Sequence, residues 1–430
     1  MKLRRALLAS AAAAVTVGML PAQALADNHG GEVKIGIVTF LSGAAASPFG
    51  VPARNAAELL IQSFNAGQAP APYATKGFGG MKITPVIIDE AGSGTNTVTE
   101  YRNLVQREKV DLVVGYVSSG NCLAVAPVAD ELKTVTYLFD CGTPRIFEET
   151  PKQYVFRSTN HAAADNVGAA LYLKQLGLKV KSFSAINQNY AWGQDSWADF
   201  ERSMKVYYPK AEVGTSQMPK LFAGQYSAEI SALLRSKADV VHSSLWGGDL
   251  EAFILQAVPR GLFKRSTVVL TAGEPAMFRM ADKIPDGTII GARGPFGQLA
   301  PDNELNRWFR QAYTDRYNTP PTYPSYHMAN GIMAAKAAYE RAMKANGGKK
   351  PTSDQLAAAT RGMTFEGPGG SAKFALSGGQ QAVGDYAYGQ FKRVNGQPTI
   401  VNIKRFTVDQ VMPPDGVKTA DWINSGFKAK

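Results

Sequence analysis

At 430 residues the chain has room for two or three domains or two large lobes. With 45% hydrophobic and 19% charged residues, it supports a packed core rather than extended disorder. The formal net charge is +11, but the basic residues are scattered with no run of five or more, which argues against a nucleic-acid surface. The excess positive charge suits anionic ligands or a negative partner surface.

Residues 1–26 read as a cleaved signal peptide. Lys2, Arg4 and Arg5 form a basic start, residues 6–20 an apolar run too short to span a bilayer comfortably, and Ala24–Ala26 an A-x-A cleavage site. Without those three basic residues the net charge is +8. No later segment reads as a membrane span, so the rest of the chain is expected to be exported and soluble. Cys122 and Cys141 are the two cysteines, and in an oxidising compartment they are expected to pair.

From residue 33 strands and helices alternate. "VKIGIVTF", "MKITPVIID", "DLVVGYV" and "TVTYLFD" are strands, with helices over "ARNAAELLIQSFN", "TNTVTEYRNLVQREK" and "CLAVAPVADEL". Such apolar runs read as parallel strands buried on both faces. A second round begins at "YVFRS" and runs through "SFSAINQN", "AEVGTSQMP", "ADVVHSSL" and "STVVLTA" to "DGTIIGARG". Two rounds without a long linker predict an α/β protein of two doubly wound parallel-sheet lobes. The tail departs from this pattern. It has helices near 302–317 and 326–345, a turn at "GPGGSAKF" and a hairpin turning at Asn395–Gly396. "GQAPAPYATKGFGG", residues 67–80, reads as a surface excursion.

"VVGYVSSGNC" leaves a buried strand into small polar residues, which admits a nucleophile turn, a phosphate cradle or a ligand-binding loop. The motifs of the first two are missing. "GYVSSG" does not match G-x-S-x-G, and neither a P-loop nor G-x-G-x-x-G occurs. The four histidines, 29, 161, 242 and 327, are isolated and C-x-x-C is absent, so no metal site or cofactor is expected. What remains is a set of polar and aromatic residues at the carboxyl ends of predicted strands, where doubly wound sheets bind ligands. It comprises Ser47 and Phe49 after the first strand, Ser119 after the third and Thr143 after the fourth. The second round adds Tyr190, Trp192, Trp246, Asp249 and Glu274. Each has a plainer role as helix cap or core residue.

At these residues the sequence resembles the leucine/isoleucine/valine-binding family of ABC-transporter substrate-binding proteins, with a type I periplasmic binding fold. "VKIGIVTFLSG", "LVQREKVDLVVGYVSSGN", "YAWGQD" and "FEGPGGSAKF" carry the resemblance, in that order along the chain. It implies a periplasmic, monomeric receptor with no enzymatic activity, which delivers a small carboxylate to permease transmembrane subunits. Ser119 then matches the serine that holds the ligand carboxylate, and Thr143 a threonine from the next loop. Cys141 matches a position whose carbonyl accepts from the ligand ammonium, and Glu274 the acid that pairs with it. Phe49 falls at an aromatic covering the ligand, Trp192 replaces a tyrosine, and Asp249 falls near another contact of the second lobe.

The split pattern and the resemblance together place lobe 1 at 27–156 and 291–384, and lobe 2 at 157–290 and 385–430. The three hinge crossings then fall near Arg157, Gly291 and Asp385. The implied ligand is a hydrophobic or branched-chain amino acid, with an aromatic acid, amide or urea-type molecule as the alternative. A serine amidase or esterase using Ser118 or Ser119 is a distant third.

Overall fold

The computed structural model describes residues 31–91 and 94–428, so the expected signal peptide and His29 lie outside the described residues. The first five strands are β1 (Glu32–Thr39), β2 (Lys82–Asp89), β3 (Leu112–Gly115), β4 (Thr136–Leu138) and β5 (Val155–Arg157). They pair in parallel in the order β2-β1-β3-β4-β5. The next five are β6 (Ser182–Ile186), β7 (Glu212–Gln217), β8 (Val240–Ser243), β9 (Thr267–Leu270) and β10 (Ile289–Gly291). They repeat the pattern as β7-β6-β8-β9-β10. Helices cover both faces, so β3, β4, β5 and β8 are buried throughout, as their unbroken apolar character requires.

The tail extends both sheets. β11 (Thr364–Gly367), β12 (Gly370–Leu376) and β13 (Gln381–Val383) join the first sheet, with β13 parallel to β5. β14 (Tyr386–Val394) adds antiparallel to β10, and β15 (Gln397–Phe406) antiparallel to β14. Their turn places Asn395 at φ 52° and Gly396 at φ 78°, as a tight two-residue hairpin demands. The chain therefore changes sheet after β5, after β10 and between β13 and β14. The long helix Tyr323–Ala345 packs on helix Val51–Ala66 of the first lobe, while helix Thr419–Asn424 packs on helix Ala191–Tyr207 of the second.

The 67–80 segment is packed down rather than a free surface excursion. Tyr73 and Phe78 are buried against Phe64 and Tyr339, and the Lys336 ammonium donates to the Thr75 and Gly77 carbonyls. Its Pro and Gly content reflects tight turning over a helix, with apolar anchors beneath.

Cys122 and Cys141 are disulfide-bonded, with Cα atoms 6.5 Å apart. The bridge joins helix Ser119–Glu131, which follows β3, to the loop after β4. Closing a loop with a sequence separation of 19 restricts the unfolded chain by about 3 kcal/mol in the chain-entropy model. Replacing both cysteines by serine is expected to lower unfolding free energy by about that amount in urea titrations. An unchanged midpoint and slope would show that the bridge adds nothing.

Candidate functional site

In each sheet the strand order reverses direction beside the first strand, between β1 and β3 and between β6 and β8. Loops leaving the carboxyl ends of such strands diverge and open a crevice. The two crevices face each other and enclose a narrow cavity. It is lined by Phe49, Val117, Ser119, Asp140, Gly142 and Tyr323 on one side and by Tyr190, Trp192, Trp246, Ala272 and Arg293 on the other. The closed lobes leave a free volume of only about 10 Å³ there, about the room of a single water, so a ligand can enter only as the lobes part. A wider groove of about 440 Å³, lined by Asp239, Ser266, Thr267 and Thr288, sits at the opposite, amino-terminal ends of the second lobe's strands. The fold positions no loop switch there, so the interlobe cavity is the candidate site.

Five of the residues singled out in the sequence line this cavity: Phe49, Ser119, Tyr190, Trp192 and Trp246. Phe49 meets Trp246 and Tyr323 edge-on, at centroid distances of 5.2 and 5.3 Å. The Trp246 indole N–H donates to Tyr190 Oη at 2.9 Å, and that of Trp192 to the Ser244 carbonyl at 2.9 Å. Ser119 Oγ accepts from the backbone N–H groups of Gly142 and Thr143, each at 3.2 Å. With its lone pairs so used, the Ser119 hydroxyl is set as a donor toward the cavity. No hydrogen bond links it to a histidine or a carboxylate among the described residues, so nothing is placed to take its proton.

The serine loop holds an acid of its own. Glu90 accepts from the N–H groups of Val117 and Ser118, at 2.7 and 2.8 Å, and from Asn121 Nδ2 at 3.2 Å. Burial pushes its pKa up to about 8 despite these donors.

Arg293 and Asp140, both unforeseen from sequence, form the polar end of the cavity. Arg293 follows β10, at the second change of sheet, with φ 52°, a left-handed conformation that is uncommon outside glycine. Its Nη1 donates to the Asp140 carboxylate and carbonyl, and its Nε lies 3.5 Å from Asp165 Oδ2. Its guanidinium stacks on Trp192 at 4.4 Å. Burial opposes the charge, but Asp165 and Asp140 outweigh it and push the guanidinium pKa up. His327 Nδ1 lies 2.8 Å from Asp140 Oδ1. Arg293 Nη2 and Asp140 Oδ2 are buried with no hydrogen-bond partner. Gly142 lets this cluster close: a Cβ there would lie 2.3 Å from the Trp192 ring and 2.5 Å from Arg293 Nη2.

The other expected contacts lie outside the cavity lining, each engaged elsewhere. The Cys141 carbonyl accepts from Arg157 Nη1 at 3.0 Å. Thr143 Oγ1 donates to Asp195 Oδ2 at 2.6 Å, and Arg145 pairs with the same carboxylate, so this loop fastens one lobe to the other. Asp249 accepts from Gln188 Nε2 and the Phe222 N–H, at 2.8 and 2.7 Å, and holds a neighbouring loop. Glu274 is fully buried one layer behind the cavity, accepting from the Tyr323 N–H at 2.9 Å. Ser47 accepts from Arg279, which also pairs with Glu251, at the outer edge of the lobe contact.

With this geometry in place, comparison with known proteins gives the family. Residues 32–397 match the periplasmic binding protein family model, and the chain belongs to that family. No curated protein matches the sequence. Among solved structures, it is similar to a solute-binding protein of an ABC transporter from Rhodopseudomonas palustris in complex with 3,4-dihydroxybenzoic acid. That pair has 22% identity and a TM-score of 0.75, over 87% of this chain and 97% of the other. A second R. palustris solute-binding protein, in complex with benzoate, has 21% identity and a TM-score of 0.75 over 90% and 100%. A leucine-, isoleucine-, valine-, threonine- and alanine-binding protein from Brucella ovis, in a closed conformation, has 21% identity and a TM-score of 0.73 over 89% and 97%. At these identities the likeness establishes the type I periplasmic binding fold. No helix among the described residues is long and apolar enough to cross a membrane.

Glu274 gives a pH-dependent test. Burial raises its pKa from 4.5 to about 7, so the fold favours the neutral acid. Below pH 4.5 both folded and unfolded chains hold the proton and no linkage operates. Between 4.5 and 7 the unfolded chain releases it first, and stability falls as pH rises, by a total on the order of 3 kcal/mol. Glu274→Gln removes that loss. Relative to wild type, its melting temperature should therefore rise progressively across this window and level off above it. A difference that does not vary with pH would show that Glu274 has the same pKa in the folded and unfolded chains.

Proposed function

We propose that the protein captures a small aromatic carboxylate of the benzoate class between its lobes. It then delivers the ligand to the transmembrane subunits of an ABC importer from the periplasm. The observation that carries this is Arg293: a buried guanidinium nitrogen without a partner, at the polar end of a cavity walled by aromatic rings. A buried donor left unpaired is costly, and a carboxylate oxygen is its strongest complement. The Ser119 hydroxyl adds a second donor, while Phe49, Tyr190, Trp192, Trp246 and Tyr323 supply ring faces against which a flat ring can pack once the lobes part to admit it. Ligand contacts on both lobes favour the closed form over any open one, which is how a two-lobed receptor signals occupancy to a permease.

An α-amino acid is the second reading. Asp140 Oδ2, unpartnered at the same cavity, is an acceptor that an ammonium can use. Glu274, the acid that the resemblance pairs with an ammonium, accepts from the Tyr323 N–H and does not line this cavity.

Calorimetric titration with benzoate, 4-hydroxybenzoate and leucine separates the two. The aromatic acids should bind stoichiometrically and leucine should not. Arg293→Lys, which keeps a buried cation, should weaken benzoate at least tenfold by losing the planar fork. Ser119→Ala, which leaves every side chain of the ion cluster in place, should weaken it several-fold with cooperative unfolding retained. Tight leucine binding with no response to benzoates would contradict the proposal.

A further inference from the structure

We propose that the hinge side of the molecule carries a second site, for a small oxyanion of the size of phosphate or sulfate, between Arg157, His161 and the C-terminal segment. It is separate from the interlobe cavity and rests on different residues.

Arg157, the last residue of β5, is completely buried, yet every acceptor that it meets is neutral. Its Nε donates to Gln381 Oε1 at 2.6 Å, and its Nη1 to the carbonyls of Cys141 and Thr143 at 3.0 and 2.6 Å. No carboxylate lies within ion-pair distance of it among the described residues. Nη2 has no partner. A buried charge in this state is unfavourable unless something compensates it. Burial and the nearby Arg293 charge push its pKa down to about 9, which is the same deficit seen from the proton's side.

Arg157 lines a cavity of about 180 Å³, together with Phe147, His161, Ser377, Gln381 and Lys418. At roughly 30 Å³ per water, this holds an oxyanion with part of its hydration shell. His161 contributes a donor. Its Nδ1 accepts from the Ala163 N–H at 3.2 Å, and burial keeps the ring neutral, so the ring proton sits on Nε2. Lys418 stands exposed at the rim. The opposing charge in the lining is Glu148, and its Oε1 is already engaged by the Thr419 N–H and hydroxyl, at 3.0 and 2.6 Å. Donors from Arg157 and His161 at the first change of sheet thus meet Lys418 of the second lobe's tail, beside which Asp415 is already engaged by the Ser377 N–H at 2.6 Å.

The test is calorimetric titration of the wild-type protein with phosphate and with sulfate, at constant ionic strength set by sodium chloride. Saturable binding of one anion per chain is expected. Lys418→Glu, a surface change that leaves the fold intact, should weaken it at least fivefold, and Arg157→Met should abolish it. Should Arg157→Met fail to fold, the Lys418→Glu comparison decides alone. Absence of saturable heat with either anion, or equal affinity in Lys418→Glu, would overturn the proposal. Benzoate titrations run alongside report the interlobe site independently, so loss of one response does not mimic loss of the other.

Discussion

One buried ion cluster ties the two lobes together, and the site is built around it. Arg293 sits where the chain leaves the second sheet, yet its guanidinium reaches Asp140 of the first lobe and Asp165 of the second. An ion pair removed from water repays its desolvation only when geometry and further hydrogen bonds are good. Here Asp140 also meets His327, Asp165 accepts from the Tyr386 hydroxyl at 2.5 Å, and Trp192 supports the guanidinium face. The cluster is nearly saturated, and the atoms left over, Arg293 Nη2 and Asp140 Oδ2, are those a polar ligand headgroup can use.

The aromatic lining follows from the same constraint. A charged pair at one end of a closed cavity is best screened from water by rings that supply their own polar ends. The indole N–H of Trp246 is absorbed by Tyr190 and that of Trp192 by a backbone carbonyl, so both present mainly apolar faces. Phe40 and Phe49, from the loop after β1, cross to meet Phe222 and Trp246 of the other lobe. Closure therefore buries apolar area at the centre and is edged by polar links, Thr143 and Arg145 to Asp195 on one side and Ser47 to Arg279 on the other.

Much of this was legible in the sequence. Unbroken β-branched runs such as "DLVVGYV" and "ADVVHSSL" can only be strands covered on both faces, and their carboxyl ends led to Phe49, Ser119, Tyr190, Trp192 and Trp246. All five leave strands flanking the order reversals, where loops diverge. Thr143 and Glu274 follow β4 and β9, farther from the reversals, and Asp249 lies within the helix after β8; their side chains turn to neighbouring N–H groups or carboxylates. Spacing cannot distinguish a loop side chain that faces a ligand from one that satisfies a backbone. Arg293 carries no such mark, because "GARG" reads as the end of a strand. What sets it apart is an arginine between Ala292 and Gly294 at the end of an apolar run, a place where a cation needs a reason. Asp140 closes the run "TVTYLFD" and reads as a strand end.

The serine loop illustrates the same limit. Its N–H groups do hold a carboxylate, but that of Glu90, from the end of β2, rather than one from a ligand. What the loop offers outward is the Ser119 hydroxyl, aligned by two backbone donors of the loop that the disulfide holds beside it. The most direct test of the account is a crystal structure of the protein grown with 4-hydroxybenzoate. A carboxylate oxygen within hydrogen-bonding distance of Arg293 Nη2, with the ring packed against the aromatic lining, is the predicted result. A ligand carboxylate held elsewhere, with Arg293 Nη2 still unpaired, would contradict it.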